Sequence, residues 1–491
     1  MLRLRDQTKR FLPLLVALAL VRGTIYSIVV PLWQAPDEPS HFEYVKLILE
    51  RRTLPKEDDL SVRIRKEIVT SLIEQDTGRY MPGFVIPPEV LITPEPPDIP
   101  GPSQLSNSPS YYLLNAFLLA PLEEQDMATQ AYAARLVSVA LSALVVVVAF
   151  LTASELFPEE PFLTLGIPTL VLFIPAHTFM TSTINNDHLA ELICSLFVYL
   201  SVRAFKRGIS FWSGLSLVLL MLLGTWTKST ALMMIPSAGI GLLLSLSGRI
   251  ASRSRRWRWA LLGLVVAIGV GLIALTVDFR AGEAGQETNA VGWDLKPWVY
   301  RVAKDWLHFR YAPKIVHSLV DWGKSLQYPQ LYLSGMRLLF ETFWARFGAR
   351  YLALDASWYL VLAIVNLASI AGLALLAIRA KRNGKQRLAS WQVKGLLYLF
   401  ACAVITLALV VLRTHPLEYP SGPSNAPHLD FPHARYLYVA IVPMATLFMV
   451  GLREITPSRW HPLGFPLFVT SLFLFDTICL LGYVVPFFGG A

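Results

Sequence analysis

Cysteine is scarce in this chain, and so is charge. The three cysteines, Cys194, Cys402 and Cys479, all lie inside apolar runs, so no loop offers a pair for a disulfide or a structural zinc site. Only 16% of the residues are charged against 54% hydrophobic, and the mean hydropathy is +0.50. So little charge, with repeated apolar runs of ~20 residues, excludes a soluble protein, because each run is long enough to cross a ~30 Å hydrocarbon core. Acidic residues are fewer than basic ones, which leaves a formal net charge of +9. The Lys and Arg fall mostly in short segments between apolar runs, the pattern of cytoplasmic membrane loops, and this sets nucleic acid aside as a partner. No small-residue cleavage signal closes the first apolar run, which starts after Arg10 and ends near Trp33. That run is expected to remain as an anchor.

What is present is a polytopic pattern of about eleven spans. They lie at roughly 11–32, 131–154, 161–180, 187–204, 211–226, 229–247, 257–277, 358–379, 391–412, 434–452 and 463–485. Basic groups precede the first span (Arg3, Arg5, Lys9, Arg10) and follow the fourth (Arg203, Lys206, Arg207), the sixth (Arg249 to Arg258) and the eighth (Arg379 to Arg387). With this count all four groups fall on one side, which is therefore expected to be cytoplasmic. The chain reads as one all-α membrane-embedded domain, 1–491, in a plasma or inner membrane. Two long extracytoplasmic loops, 33–130 and 278–357, carry short surface helices, and C-terminal helices fill 358–491. In the first loop, Glu43 to Arg52 and Ser61 to Glu74 show helical apolar spacing with interleaved basic residues, as helices lying in the headgroup layer do. The stretch from Met81 to Pro109 is proline-rich and is expected to wrap over the bundle. The second loop carries Trp293, Trp298, Trp306, Trp322 and Trp344, which suit either the membrane interface or stacking on sugars.

One short stretch concentrates chemistry: Pro36-Asp37-Glu38-Pro39-Ser40-His41. The two prolines restrict the backbone on both sides, so the acidic pair sits on a stiff turn. A base held rigidly near a membrane surface is what abstraction of a hydroxyl proton needs. The plainer alternative is a carboxylate that caps the helix starting near Pro39.

The expected topology brings further ionisable residues to the same level. These are Asn185-Asn186-Asp187-His188, Lys228, Arg350, and His428, Asp430, His433 and Arg435. Each alone can be a helix-end anchor; together they mark a functional cavity. The carboxylates suit a hydroxyl, and the cations suit a phosphate, for which arginine offers a bidentate fork. Arg22 lies roughly ten residues inside the first span, about 15 Å below Trp33, and requires a partner or a lipid phosphate at that depth. Arg135, entering the second span, is either a similar group or an interface anchor.

These motifs resemble those of the polytopic GT-C glycosyltransferases that use polyprenyl-phosphate-linked sugars. The likeness is greatest to the protein O-mannosyltransferase-related branches and to a membrane family with a Pro-Asp-Glu-Pro-x-His signature. It rests on Pro36 to His41, Asn186-Asp187, Thr227-Lys228 and Ala434-Arg435-Tyr436-Leu437. Pro109-Ser110-Tyr111-Tyr112 resembles the family's His-Pro-Pro-Leu-Tyr-Tyr segment but has no histidine. The likeness covers residues 10–280 best and thins afterwards.

The resemblance implies a GT-C-type bundle and an inverting transfer of a sugar from a polyprenyl-phosphate donor to a glycan, lipid or protein acceptor. It implies Asp37 as base, Glu38 as an orienting group, Asp187 as completing the acidic site, and the basic residues as holders of the lipid phosphate. His41, Asn186, Lys228, Arg350, Arg435, Arg22 and Tyr112 form the implied substrate-binding set. Some relatives place a divalent cation, Mg or Mn, at the acidic pair; nothing in this sequence demands one. The competing class is a transporter or flippase for a lipid-linked or anionic solute. It finds no inverted repeat and no matched pair of broken helices here. A structural assembly subunit is the third class, and it would need no acidic and basic clusters at one level.

Overall fold

The computed structural model describes residues 10–56, 58–80, 86–246, 320–348, 350–383, 388–417 and 428–489. The expected span 257–277 and most of the second loop, with Trp293, Trp298 and Trp306, lie outside the described residues.

The chain is a helical membrane protein. Among the described residues, seven helices are long and apolar enough to cross a membrane, or eight if a bent pair counts as one span. Each of the ten expected spans among the described residues has its helix or helix pair. The first four spans are α1 (Leu12–Val29), α5 (Met127–Leu156), the bent pair α6 (Pro161–Phe173) and α7 (Pro175–Thr181), and α8 (Asp187–Arg207). Two shorter apolar helices follow, α9 (Phe211–Thr227) and α10 (Met234–Leu246). After α11 (Pro329–Trp344) come α12 (Ala356–Asn383) and α13 (Ser390–Val411). A tight 3-10 entry at Ala434–Ala440 then leads into α14 (Ile441–Ile455), and α15 (His461–Ile478) runs on through a π turn at Cys479–Val484 into a short final helix, Val485–Gly489. Between α1 and α5 lie α2 (Glu38–Arg51), α3 (Val62–Glu74) and α4 (Ser110–Leu119). Two short antiparallel ribbons add to the all-α plan, β1 (Arg346–Phe347) with β2 (Leu352–Ala353) and β3 (His415–Leu417) with β4 (His428–Asp430).

Local chemistry sets the breaks. Pro175 opens α7 and cannot continue the hydrogen bonding of α6, so the pair bends by 61°. The chain thus reaches Asn185 and Asp187 from a short, steeply turned helix. Asp126 caps α5, its carboxylate accepting from Thr129 N at 2.9 Å. Helices α12 and α14 touch through their backbones, since a Cβ on Gly372 would lie 1.9 Å from the Gly451 carbonyl oxygen. Such small-residue contacts let membrane helices approach closely.

Burial separates the centre from the rim. The spans at Asp187–Arg207 and Ala434–Ile455 are 67% and 78% buried, whereas Ala356–Ala380 is 11% buried. The two spans that carry Asp187 and Arg435 are therefore the ones held on all sides.

Two expectations are corrected here. Helix α2 was expected to lie in the headgroup layer, yet every residue from Glu38 to Leu49 is buried. Helices α3 and α4 pack on it, Tyr44 stacks on Tyr112 with ring centroids 4.0 Å apart, and Lys46 Nζ donates to Gln130 at 2.8 Å. Its polar residues point to internal partners. Trp344 is likewise buried, packed against Phe343 and Phe448, and serves neither an interface nor a sugar.

Candidate functional site

The turn from Trp33 to Glu38 is closed on itself. Glu38 Oε2 accepts from the Trp33 N–H at 2.9 Å, and Glu38 N–H reaches the Ala35 carbonyl at 3.3 Å. Asp37 stands at the start of α2 with φ 66°, in the left-handed region that Asp tolerates better than most residues. Its side chain makes no capping bond. The carboxylate turns instead to Arg435, whose Nη2 lies 2.9 Å from Oδ2, while Nη1 reaches the Pro36 carbonyl at 3.4 Å. The capping alternative is thereby excluded for Asp37.

Arg435 continues the cluster. Its Nε lies 3.8 Å from Asp187 Oδ2, and its Nη2 donates to the Tyr436 hydroxyl at 3.2 Å. Asp187 Oδ1 lies 2.9 Å from Lys228 Nζ, an ion contact off the hydrogen-bonding line. Lys228 also donates to Asn186 Oδ1 at 2.6 Å and to Asn185 Oδ1 at 3.2 Å. Two acids and two cations from four separate stretches thus alternate as Asp37, Arg435, Asp187 and Lys228. Asp37 is the more open carboxylate, 22% exposed at its side chain against 9% for Asp187. A cavity of ≈ 10 Å³ between Asp187, Glu191, Arg435 and Tyr438 is about one water molecule in size, so the buried side of the cluster is closely packed.

His41 and Tyr112 stand beside this cluster and bond to each other, Nδ1 to hydroxyl, at 2.8 Å. Burial, then the charges of Lys228 and Arg435, push the His41 imidazole well below its usual pKa, so it is neutral. His433 is similarly depressed, by burial first and then by Arg435 and Arg350. Its Nδ1 accepts from the Arg435 backbone N–H at 2.9 Å. Tyr111 was not expected in the site. Its hydroxyl accepts from Asn185 N at 3.1 Å and bonds Ser138 at 2.8 Å, tying α4 to the approach of α8.

Glu38 faces the other way from its neighbour. Its Oε1 accepts from Arg135 Nε at 2.8 Å and Ile184 N at 3.1 Å, and its Oε2 accepts from Arg135 Nη2 at 2.8 Å. Arg135 spends its other N–H groups on the carbonyls of Ser27, Val30 and Pro31, at 2.7 to 2.9 Å, where α1 ends. Both side chains are 0% exposed. Of the two orienting roles expected for Glu38, on Asp37 or on the acceptor, these buried contacts favour the first: it positions the turn on which Asp37 stands. The anchor alternative for Arg135 is thereby corrected.

Arg22, expected in the substrate-binding set, has the internal partner that its depth also allowed. Nε donates to Asp476 Oδ2 at 2.8 Å, Nη2 pairs with Asp476 Oδ1, and Nη1 meets the Leu172 carbonyl; Tyr26 adds a hydroxyl bond to Asp476 at 3.0 Å. Its partner is a residue of α15, not a substrate. Arg350 sits in the turn between β1 and β2 at φ 77°, its carbonyl accepting from Arg346 Nε at 2.7 Å. The side chains of His428 and Asp430 lie outside the described residues. No three His, Cys, Asp or Glu side chains among the described residues are placed to hold a metal ion. Asp37 and Asp187 meet a guanidinium and an ammonium group instead, a donor set that does not fit a divalent cation.

No family model matches this chain, and no curated protein matches it. Among solved structures it is similar to the crystal structure of the Archaeoglobus fulgidus oligosaccharyltransferase in complex with Zn and sulfate. The identity is 11% and the TM-score 0.45, over 96% of this chain and 52% of that one. The apo form of the same protein gives 9% identity and a TM-score of 0.44, over 96% and 55%. The chain thus spans about half the length of these structures.

Proposed function

We propose that this protein is an integral membrane glycosyltransferase of GT-C type. In this reading a bundle of about eleven spans holds the site on the extracytoplasmic face. A sugar passes from a polyprenyl-phosphate carrier to a hydroxyl of a glycan, lipid or protein acceptor. The observation that carries the reading is the bridge of Arg435 between Asp37 and Asp187, with Lys228 on the far side. It puts carboxylates that accept a proton next to cations that hold an anion.

Asp37, the more open carboxylate, takes the acceptor proton as the acceptor oxygen bonds to the anomeric carbon. The bond from that carbon to the phosphate oxygen breaks on the opposite face, and its electron pair leaves with the phosphate. Lys228 and Arg435 stabilise that developing charge, as preorganised cations do in a site screened from water. Phosphate leaves as an anion, so no general acid is needed, in contrast to the paired carboxylates of glycoside hydrolysis. Glu38 and Arg135 hold the turn on which Asp37 stands.

The test uses purified protein in detergent or nanodiscs with a panel of polyprenyl-phosphate sugars and acceptors. Release of lipid phosphate from one donor is expected, with a loss of roughly 10²–10⁴-fold in Asp37→Asn. Equal release by the variant would overturn Asp37 as base and turn attention to transport.

A further inference from the structure

The Trp33–Glu38 turn holds a second polar group that the mechanism leaves unused. Gln34 is 1% exposed, and neither its Nε2 nor its Oε1 meets a hydrogen-bond partner among the described residues. An amide buried with both functions unpaired is costly to keep, and native structures tolerate few of them. Gln34 is three residues before Asp37, in a turn whose ends are fixed by the Trp33-to-Glu38 bond and by Arg435 on the Pro36 carbonyl. The backbone that carries it is therefore held at both ends.

Two more amides complete the pattern. Lys228 binds the oxygens of Asn185 and Asn186, and Asp187 N–H adds a bond to Asn185 Oδ1 at 2.9 Å. A cation fixes which end of an amide faces it, so both Nδ2 groups are turned from Lys228. Both are buried donors without a partner among the described residues. Two unsatisfied amide donors thus adjoin the ionic cluster at Asn185 and Asn186, and Gln34, on the turn that carries Asp37, adds a third donor and an acceptor. They are neutral, short and rigidly mounted.

We infer that Gln34, Asn185 and Asn186 form the subsite that reads the hydroxyl groups of the transferred sugar. An amide offers a donor and an acceptor at once, which matches two neighbouring hydroxyls, each able to give and take a hydrogen bond. Lys228 and Arg435 hold the phosphate, and the amides beside them meet the polyhydroxylated ring attached to it. A site built to bond a hydroxyl strongly disfavours the analogue that lacks it, because the buried group is then left unpaired. The inference rests on the transferase reading and adds to it the feature of the donor that is recognised.

The experiment compares wild type with Gln34→Met, which keeps the volume and removes both polar functions. Thermal unfolding in detergent is measured beside kcat/KM for the donor that wild type uses and for its single-deoxy analogues. A Tm unchanged or raised by roughly 1–3 °C is expected, with kcat/KM lowered about tenfold or more. Wild type should reject one deoxy donor that Gln34→Met no longer distinguishes. Asn185→Asp, which keeps the oxygen on Lys228 and removes the donor, supplies the same comparison should Gln34→Met fold poorly. A Tm lowered by several degrees, or an unchanged kcat/KM, would overturn the subsite while leaving the transferase intact. Absence of turnover with every sugar donor in wild type would overturn the transferase reading and this one with it.

Discussion

Arg135 and Glu38, 97 residues apart, meet through two bonds of 2.8 Å with neither side chain exposed. The adjacent carboxylate, Asp37, is 22% exposed and faces Arg435. Two neighbouring acids therefore have opposite jobs, one holding the turn and one open to chemistry. Glu38→Gln leaves the buried Arg135 guanidinium without a counter-charge, a defect that typically costs about 3–5 kcal/mol. A large fall in Tm and in yield of monodisperse protein is expected. Asp37→Asn should leave Tm within a few degrees, since Arg435 keeps Asp187 nearby. Thermal unfolding of the two variants side by side checks this.

Arg22 supplies a contrasting case. It is paired with Asp476 and lies apart from the Asp37 cluster. Arg22→Met should destabilise by about 3–5 kcal/mol, because it strands a buried carboxylate. The double variant Arg22→Met with Asp476→Asn should recover much of that loss. Phosphate release per folded molecule should stay near wild type in both. A selective loss of activity in a normally stable Arg22 variant would return this residue to the substrate site.

The contrast between Asp37 and Arg22 shows what the sequence could and could not yield. Asp37 is legible because prolines flank it locally, and Lys228 and Arg435 because they stand at the ends of apolar runs. The partner of Arg22 is 454 residues away, and no periodicity or spacing points to Asp476. Arg135 stays open in the sequence between a buried group and an anchor, because its three backbone acceptors belong to the end of another helix. Helix α2 reads as amphipathic, and only the tertiary layer of α3 and α4 shows that its polar side is covered. Gln34 carries no sequence signal at all, since an unpaired amide is defined by what surrounds it.

The histidines give a sign to the pH dependence. His41 and His433 are both held neutral, with pKa values depressed well below the usual imidazole range by burial and nearby cations. On unfolding each takes up a proton below about pH 6.5, so the unfolded chain binds more protons there than the native one. Stability is fully present above that pH and falls as the pH drops below it. Thermal unfolding between pH 8 and pH 5 should show Tm declining on the acid side. His41→Gln should flatten part of that decline, and an unchanged slope would remove His41 from the account.

The last case concerns a glycine in the proline-rich stretch that has no periodicity to read. Gly101 has φ +89°, and a Cβ there would stand 2.9 Å from Asp37 Oδ1 and 3.0 Å from its Cα. The neighbour is backbone as well as carboxylate, so it cannot simply swing aside. Arg65 holds this stretch down, donating to the Pro97 carbonyl at 3.4 Å while pairing with Glu43 of α2 at 2.6 Å. Gly101→Ala must therefore leave its left-handed conformation, which costs an L-residue roughly 1–2 kcal/mol, or push Asp37 off its position. A displacement near 1 Å at a reacting group can cost about 10²-fold in rate. The expected result is a kcat lowered by one to two orders of magnitude, with a Tm change much smaller than that of Glu38→Gln. Donor binding, measured apart from turnover, should be nearly unchanged, because the atoms nearest a Cβ at Gly101 all belong to Asp37. Should donor affinity collapse together with kcat, the stretch would belong to the donor side of the site, and Asp37 would have to be reached by the acceptor from elsewhere.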